Sequence, residues 1–225
     1  MMRAICKGIV KGIVSGFVPA LLLSVLVGDA HAQASGGARP ASGQPPVPAA
    51  QPPRAPARAP MRTMTLTSPD FVDGGAIPAM FAQTGRDVSP ALQWSGVPDS
   101  TRSFVLIVHD ADAPMGDGLD DMLHWMVWNI PGTATSLPRG VSQGGTLPDG
   151  SRQISVSGPY YRGPAAPSTG SAHHYVFELY ALDIPVNVAA TGMAPAATRE
   201  AVVRAMAQHI RGKGVLVGTY RRPAP

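Results

Sequence analysis

The chain has 225 residues, with 18 basic and 14 acidic side chains and a formal net charge of +4 at pH 7. Six basic residues and one acidic residue precede Met61, which leaves 12 basic and 13 acidic residues from Met61 onward. A domain with this balance lacks the basic surface that binds nucleic acid, so we expect no nucleic-acid partner.

The first 32 residues have the three parts of a secretory signal. Three basic residues precede an apolar run over residues 13–27, and the small residues Ala30 and Ala32 stand at the positions that a signal peptidase reads. We predict cleavage before Gln33 and a periplasmic or secreted protein. The run is shorter than the ~20 residues of a spanning helix. An uncleaved anchor, which would bring the protein into contact with the membrane, is the alternative.

Residues 33–60 are rich in Ala, Pro, Gln and Gly and include no acidic or aromatic residue, a composition that predicts a disordered spacer. The only cysteine, Cys6, lies in the signal, so we expect the exported protein to have no disulfide. Residues 61–225 are long enough for one domain.

The domain is predicted to be mainly β, a β-rich α+β fold. Runs of β-branched and aromatic residues, separated by Gly and Pro, predict strands at 64–68, 91–95, 103–109, 124–130, 153–157, 175–182 and 214–220. Residues 196–211 instead have apolar side chains at helical spacing, and we expect Gly212 to end this helix.

The first cluster of polar residues follows the apolar run 103–109. Asp110 and Asp112 are two residues apart, so an extended chain points both carboxylates to one face. A hairpin-like return would bring His124 beside them, and an aspartate would then fix the tautomer of its ring. The alternative is an Asp/His network that only caps the end of a strand.

The second cluster comes about fifty residues later. Gly163, followed by Pro164 and Pro167, predicts a stiff loop in which backbone N–H groups can approach a ligand closely. Tyr161, His173 and Tyr175 add hydroxyl and imidazole groups, whereas His174 should face away from His173. If the two clusters converge, they form an anion site; a histidine that stands alone is more often structural.

Metal, cofactor and nucleophilic sites have less support. Asp110 and Asp112 begin a sequence similar to a calcium loop, but Pro114 and Met115 stand where such a loop needs an oxygen ligand and a glycine. The sequence has no HExxH motif and no cysteine beyond the signal. We therefore predict no metal, no cofactor and no catalytic residue.

Six motifs, in order along the domain, are similar to those of the phosphatidylethanolamine-binding protein family, in particular its bacterial Raf-kinase-inhibitor-like branch. They occupy residues 89–94, 110–114, 124–131, 163–167, 173–177 and 218–220. The resemblance implies a large central antiparallel sheet with a smaller sheet and a C-terminal helix. It also implies a shallow pocket at one end for phosphate or phosphorylated head groups.

Seven residues match the family's pocket positions and are implied to bind the ligand. They are Asp110, Asp112, Pro114, His124, Gly163, His173 and Tyr175. The chain departs from the family pattern at Ala111, at the pair 165–166 and in a slightly longer stretch between Pro167 and His173.

The expected function is therefore a secreted, non-enzymatic module that binds a small anion. In this hypothesis His124 and His173 donate hydrogen bonds, Tyr175 contributes its hydroxyl, the Gly163 region cradles the ligand, and the aspartates orient His124. The alternatives are a protein inhibitor or regulator that acts through its surface, for example on a protease or kinase, and a weak hydrolase with an Asp/His general base. The sequence allows a monomer or a homodimer.

Overall fold

The computed structural model describes residues 60–116, 120–189 and 194–225, so the predicted signal peptide and almost all of the spacer lie outside the described residues. The strands are β1 (Arg62–Thr63), β2 (Thr65–Thr67), β3 (Leu92–Ser95), β4 (Ser103–Met115), β5 (Asp120–Pro131), β6 (Ser136–Leu137), β7 (Arg152–Ile154), β8 (His173–Leu182) and β9 (Ile210–Tyr220). The α-helix, α1, is Pro195–Met206, and a short 3₁₀ helix spans Ala79–Phe81.

The strands form two sheets. The larger sheet has six strands in the order β1-β9-β8-β4-β5-β7, and the smaller sheet has three in the order β2-β3-β6. All pairs are antiparallel except the edge pair β1–β9, which is parallel. The mainly β fold with a large sheet, a smaller sheet and a C-terminal helix is thus confirmed.

Both faces of the larger sheet are covered, which explains why β4 begins as an almost continuous apolar run. Phe104 and Leu106 pack on one face in a core shared with Trp94 of the smaller sheet. Val105 and Ile107 pack on the other face in a second core that includes side chains of α1. The long strands β4, β5 and β8 thereby become the rigid frame that carries the polar clusters at their ends.

The helix ends earlier than predicted. Its buried residues are Thr198, Val202 and Met206, but Gly212 does not terminate it. Gln208 adopts a positive φ of 71°, and Ile210 already pairs with Leu182 as the first residue of β9. The apolar residues near 210 follow the two-residue period of a strand, and pairing with β8 prevails over the helical spacing.

Four strands, β4, β5, β8 and β9, are longer than predicted. β4 runs on to Met115 and β5 begins at Asp120, so the aspartates of the first cluster lie inside a paired strand rather than beyond its end. Among the described helices, none has the length and apolar character needed to cross a membrane.

Candidate functional site

His124 is an extra residue in the β4–β5 hairpin. Val108 pairs with Trp125 and His109 pairs with Leu123, so His124 forms a β-bulge without a partner in β4. The residue is 1% exposed, and its Nδ1 lies 2.7 Å from the carbonyl oxygen of Arg162. The Arg162 N–H in turn donates to the His124 carbonyl at 3.0 Å, which attaches the loop around residue 162 to the bulge.

The Arg162 carbonyl determines the tautomer of His124. A carbonyl oxygen only accepts hydrogen bonds, so Nδ1 must donate and Nε2 of the neutral ring is an acceptor. Burial lowers the pKa of His124, and this effect outweighs the contribution of the Arg162 carbonyl and of Asp110. Across the described ranges, His124 Nε2 has no hydrogen-bond partner. The expectation that an aspartate orients this ring is therefore wrong, because the first ring nitrogen already binds a backbone carbonyl.

Asp110 and His173 form a hydrogen-bonded pair beside His124. Asp110 lies opposite Tyr175 in the β4–β8 register and is 3% exposed. His173 Nδ1 is 2.9 Å and 3.2 Å from the two oxygens of the Asp110 carboxylate, so Nδ1–H donates to it. The carboxylate is thus satisfied although it is buried, and it fixes the position of the half-buried His173 ring.

Asp112 binds the neighbouring histidine, His174. Its Oδ2 accepts the His174 backbone N–H at 2.6 Å and lies 2.8 Å from His174 Nδ1. These hydrogen bonds, the backbone one first, lower the pKa of Asp112. The side chains of Asp112 and His174 are largely exposed, so this pair lies at the surface while the Asp110–His173 pair lies inside.

Tyr175 connects the two clusters. Its ring packs edge to face on His124, with 5.1 Å between the ring centroids, and its hydroxyl accepts the N–H groups of Ala165 and Ala166 at 3.2 Å each. Burial, with a smaller contribution from Asp110, raises the pKa of Tyr175. The hydroxyl that the sequence analysis assigned to the ligand is thus already used to hold the loop of residues 163–167 in place.

Gly163 allows a close contact between two segments of backbone. A Cβ at this position would lie 2.0 Å from the Phe81 carbonyl oxygen. The Gly163 N–H donates to Asp87 Oδ1 at 2.6 Å, and its carbonyl accepts from Gln83 Nε2 at 2.8 Å. The protein itself binds both polar groups of Gly163, so this N–H is already engaged and is not free for the cradle expected of the Gly163 region.

Asp87 is a residue of this site that was not predicted from the sequence. It binds the Gly163 N–H and also Arg162 Nη1, at 2.7 Å, and so fixes the loop that orients His124. The backbone of Asp87 has a positive φ of 53°, and aspartate is one of the few residues that tolerate it. The sequence offers a turn signal there, but nothing that connects it to a loop 75 residues away.

Pro114 lies farther out on the same hairpin. It pairs with Asp121 after an irregularity in the register between Asp110 and Pro114. Of the seven predicted residues, the structure connects five through contacts: Asp110, His124, Gly163, His173 and Tyr175. Asp112 and Pro114 stand at the outer end of β4.

A separate group of charged residues, distinct from the two clusters of the sequence, lies on the opposite face of β4. We call His109, Asp121, Glu178, Arg199 and Lys213 the charge network; they come from β4, β5, β8, α1 and β9. His109 Nδ1 contacts the Asp121 carboxylate, and Nε2 lies 3.6 Å from Glu178 Oε2. Arg199 pairs with Asp121 and Lys213 pairs with Glu178, both at 2.5 Å.

The charge network shifts the pKa values of its members. Burial alone would lower the pKa of His109, but Glu178 and Asp121 outweigh it and the pKa is raised. His109, and then Lys213 and Tyr180, lower the pKa of Glu178 to about 2 although burial opposes them. No three His, Cys, Asp or Glu side chains are arranged to hold a metal ion anywhere in the described part of the chain.

Comparison with known proteins decides the family. A family model described as phosphatidylethanolamine-binding protein matches residues 67–221. The chain belongs to this family. A UPF0098 protein of Methanothermobacter thermautotrophicus is 41% identical over 161 residues, which cover 71% of this chain and 99% of that protein. The putative lipoprotein LppC of Mycobacterium tuberculosis is 35% identical over 178 residues, 78% of this chain and 75% of the relative.

Solved structures of the phosphatidylethanolamine-binding protein family have the same fold. Escherichia coli YbcL, described as a member of the mammalian family, matches with a TM-score of 0.60 and 28% identity and covers 71% of this chain and 98% of its own. A putative homologue from Chlamydia trachomatis, CT736, matches with a TM-score of 0.59 and 31% identity, over the same 71% and 98%.

Two residues that depart from the family pattern lie within the loop of residues 163–167. Ala165 and Ala166 use their N–H groups to bind the Tyr175 hydroxyl, so Ala166 keeps a donor that the proline usual at its position would lack. Ala111 is an exposed residue between the two aspartates of β4. These departures leave the contacts among Asp110, His173 and Tyr175 in place.

Proposed function

We propose that this protein is a binding module for a small anionic group, a phosphate or a phosphorylated head group, and that it has no catalytic step of its own. The pocket, as we define it, consists of Asp110, His124, Gly163, His173 and Tyr175. The observation that carries the proposal is His124 Nε2, a buried polar atom without a protein partner in the described residues, next to the Asp110–His173 pair.

A continuous set of contacts connects the two histidines. His173 binds Asp110, Asp110 lies opposite Tyr175 in the sheet, and the Tyr175 ring packs on His124. Because each of these side chains is attached to a long paired strand, the spacing between the imidazoles is set by the sheet and not by a mobile loop. A ligand that reaches both rings would meet a rigid site, which costs little ordering entropy on binding.

The pocket offers different chemistry on its two sides. His173 has Nδ1 on the carboxylate of Asp110, so its other ring nitrogen can donate to an anion when the ring is protonated. His124 offers a lone pair on Nε2 from a neutral ring. This combination suits a group that has both acceptor oxygens and a donor, which phosphate and its monoesters provide.

We propose a location in the cell envelope or outside the cell. The predicted secretory signal supports it, and a relative with 35% identity is named a putative lipoprotein. In such a location the ligand would be a soluble phosphorylated compound or the head group of a lipid.

Isothermal titration calorimetry with inorganic phosphate and with phosphoethanolamine tests the proposal. Wild-type protein should bind at least one of them, and His124→Ala should lose binding because it removes Nε2 and opens the buried site to water. His209→Ala is the matched control: this histidine also binds an aspartate, Asp183, which lies just beyond the other end of β8. Identical titration curves for the three proteins would contradict the proposal.

A further inference from the structure

We infer that the pocket selects an oxyanion that still has a proton, such as hydrogen phosphate or a phosphate monoester in its monoanionic form, with the P–OH donating to His124 Nε2. The inference rests on the proposed function and specifies the ligand class. The geometric basis is the hydrogen bond of 2.7 Å from His124 Nδ1 to the Arg162 carbonyl. This bond uses the only N–H of the neutral ring and leaves Nε2 as an acceptor.

The Arg162 carbonyl cannot easily turn away from His124. Its residue is held at the N–H, which donates to the His124 carbonyl, and at the side chain, which pairs with Asp87 at 2.7 Å. The next residue, Gly163, also donates to Asp87. Because residue 162 is held at its N–H and at its side chain, flipping the His124 ring would leave the Arg162 carbonyl oxygen without its donor, so the Nδ1–H tautomer is retained.

Burial keeps the His124 ring neutral although the groups that face it, including the Arg162 and Gly163 carbonyls, favour the charged form. Asp110 on β4 is the carboxylate that most favours a charged ring, but its oxygens already accept from His173. Asp87 is neutralised by Arg162. Tyr175 on β8 presents an uncharged ring to His124, and burial disfavours an imidazolium inside the site.

Tyr161, which precedes Arg162 in the chain, does not supply the missing donor. Its hydroxyl is buried and has no partner among the described residues, and burial raises its pKa, so it stays protonated. The Tyr161 ring packs on Trp125, with 5.6 Å between the centroids, and no hydrogen bond joins its hydroxyl to His124. A donor for Nε2 therefore has to come from the ligand.

An oxyanion without a proton would place an oxygen lone pair against the lone pair of His124 Nε2, and the two would repel each other. It would also approach the carboxylate of Asp110, another acceptor, without a hydrogen to share. A buried acceptor that is left unpaired weakens binding by about 10- to 100-fold. The pocket should therefore distinguish two oxyanions of the same shape and charge by the presence of one proton.

Methylphosphonate and methanesulfonate are a matched pair of probes. At about pH 6, where a phosphonate keeps much of its second proton, both are monoanions of similar shape, and only the phosphonate is a donor. Titration of the full-length wild-type protein should give about 10- to 100-fold tighter binding of methylphosphonate. The preference should shrink in His124→Gln, whose amide can turn either its oxygen or its nitrogen toward the ligand, and should persist in His209→Ala.

Long-range ¹H–¹⁵N spectra of the His124 ring give a second readout that does not depend on affinity. We expect a proton on Nδ1 and none on Nε2 before and after phosphate is added. Equal binding of the two probes by the wild type, or a proton on Nε2 in the phosphate-saturated protein, would overturn the inference and leave the proposed function standing. If phosphate and both probes fail to bind, the proposed function fails and the inference fails with it.

Discussion

At the scale of single residues, one backbone carbonyl decides the chemistry of His124. The carbonyl belongs to Arg162, 38 residues away, and it accepts the hydrogen bond of the ring N–H. We had expected an aspartate to accept this hydrogen bond. The sequence could predict that His124 and Asp110 belong to one site, because both stand where apolar runs meet polar ones. It could not predict their partners, since those depend on a register shift of one residue in β5.

Tyr175→Phe tests the structural role of the tyrosine hydroxyl. The variant leaves the N–H groups of Ala165 and Ala166 without an acceptor in a largely buried loop, so the free energy of unfolding should fall by about 1–3 kcal/mol. Urea unfolding measures it. Tyr160→Phe is the control, because the Tyr160 hydroxyl binds one turn carbonyl and its loss should cost at most about 1 kcal/mol. Equal stabilities of the two variants would contradict this role.

Gly163→Ala tests the close backbone contact at the pocket loop. The added methyl group would meet the Phe81 carbonyl at 2.0 Å, and the required shift should destabilise the fold by about 1–3 kcal/mol or more. Gly145→Ala is the matched control, since a Cβ at this position would lie 4.0 Å from its nearest neighbour, the Pro159 side chain. Thermal unfolding that is unchanged in Gly163→Ala would show that the loop can move away at no cost.

At the scale of elements, the β4–β5 hairpin carries residues of the pocket on one face and residues of the charge network on the other. His109 and Asp110 are consecutive in β4, so the first joins the charge network while the second joins the pocket. Strand alternation predicts this separation, but the network itself was not predicted from the sequence. Its members come from five elements, and only the folded sheet and helix α1 bring them together.

The charge network should make stability depend on pH through His109. Its pKa in the folded protein is raised above 6.5, so its contribution is fully present below pH 6.5 and is lost as the pH rises through the folded pKa. Urea unfolding from pH 6 to 9 should therefore show a decline in the wild type that is smaller in His109→Gln. Parallel curves for the two proteins would contradict the role of His109.

Glu178 should make stability depend on pH in the opposite direction to His109. Its pKa of about 2 lies below the ordinary value of 4.5, so its contribution is present above pH 4.5 and is lost as the pH falls toward 2. We expect Glu178→Gln to flatten the acid limb of the stability curve, and to lower the pKa of His109 in an NMR titration. A His109 titration that is the same in wild type and Glu178→Gln would argue against their interaction.

At the scale of the whole molecule, the family and the two-sheet fold could be predicted because the motifs and strand patterns extend through most of residues 61–225. The helix was predicted to run to residue 211 and ends at Met206, since residues near 210 satisfy both a helical and a strand pattern and only pairing with β8 decides between them. Local patterns thus predicted the framework, and contacts between distant segments determined the details of the pocket.

The predicted secretory signal, residues 1–32, leads to a prediction about where the chain is cleaved. If the signal is cleaved as its sequence indicates, protein recovered from the cell envelope or medium should begin at Gln33, and mass spectrometry of the N-terminal peptide measures this. Retention of the apolar run in the mature protein would instead support an uncleaved membrane anchor.

A crystal structure of the protein grown with phosphate tests the central claim most directly, because it locates the ligand relative to both histidines at once. We expect one phosphate with an oxygen within hydrogen-bonding distance of His124 Nε2 and another near the His173 ring, while His124 Nδ1 stays on the Arg162 carbonyl. A protein atom bound to Nε2, or phosphate bound only at other sites on the surface, would contradict the account.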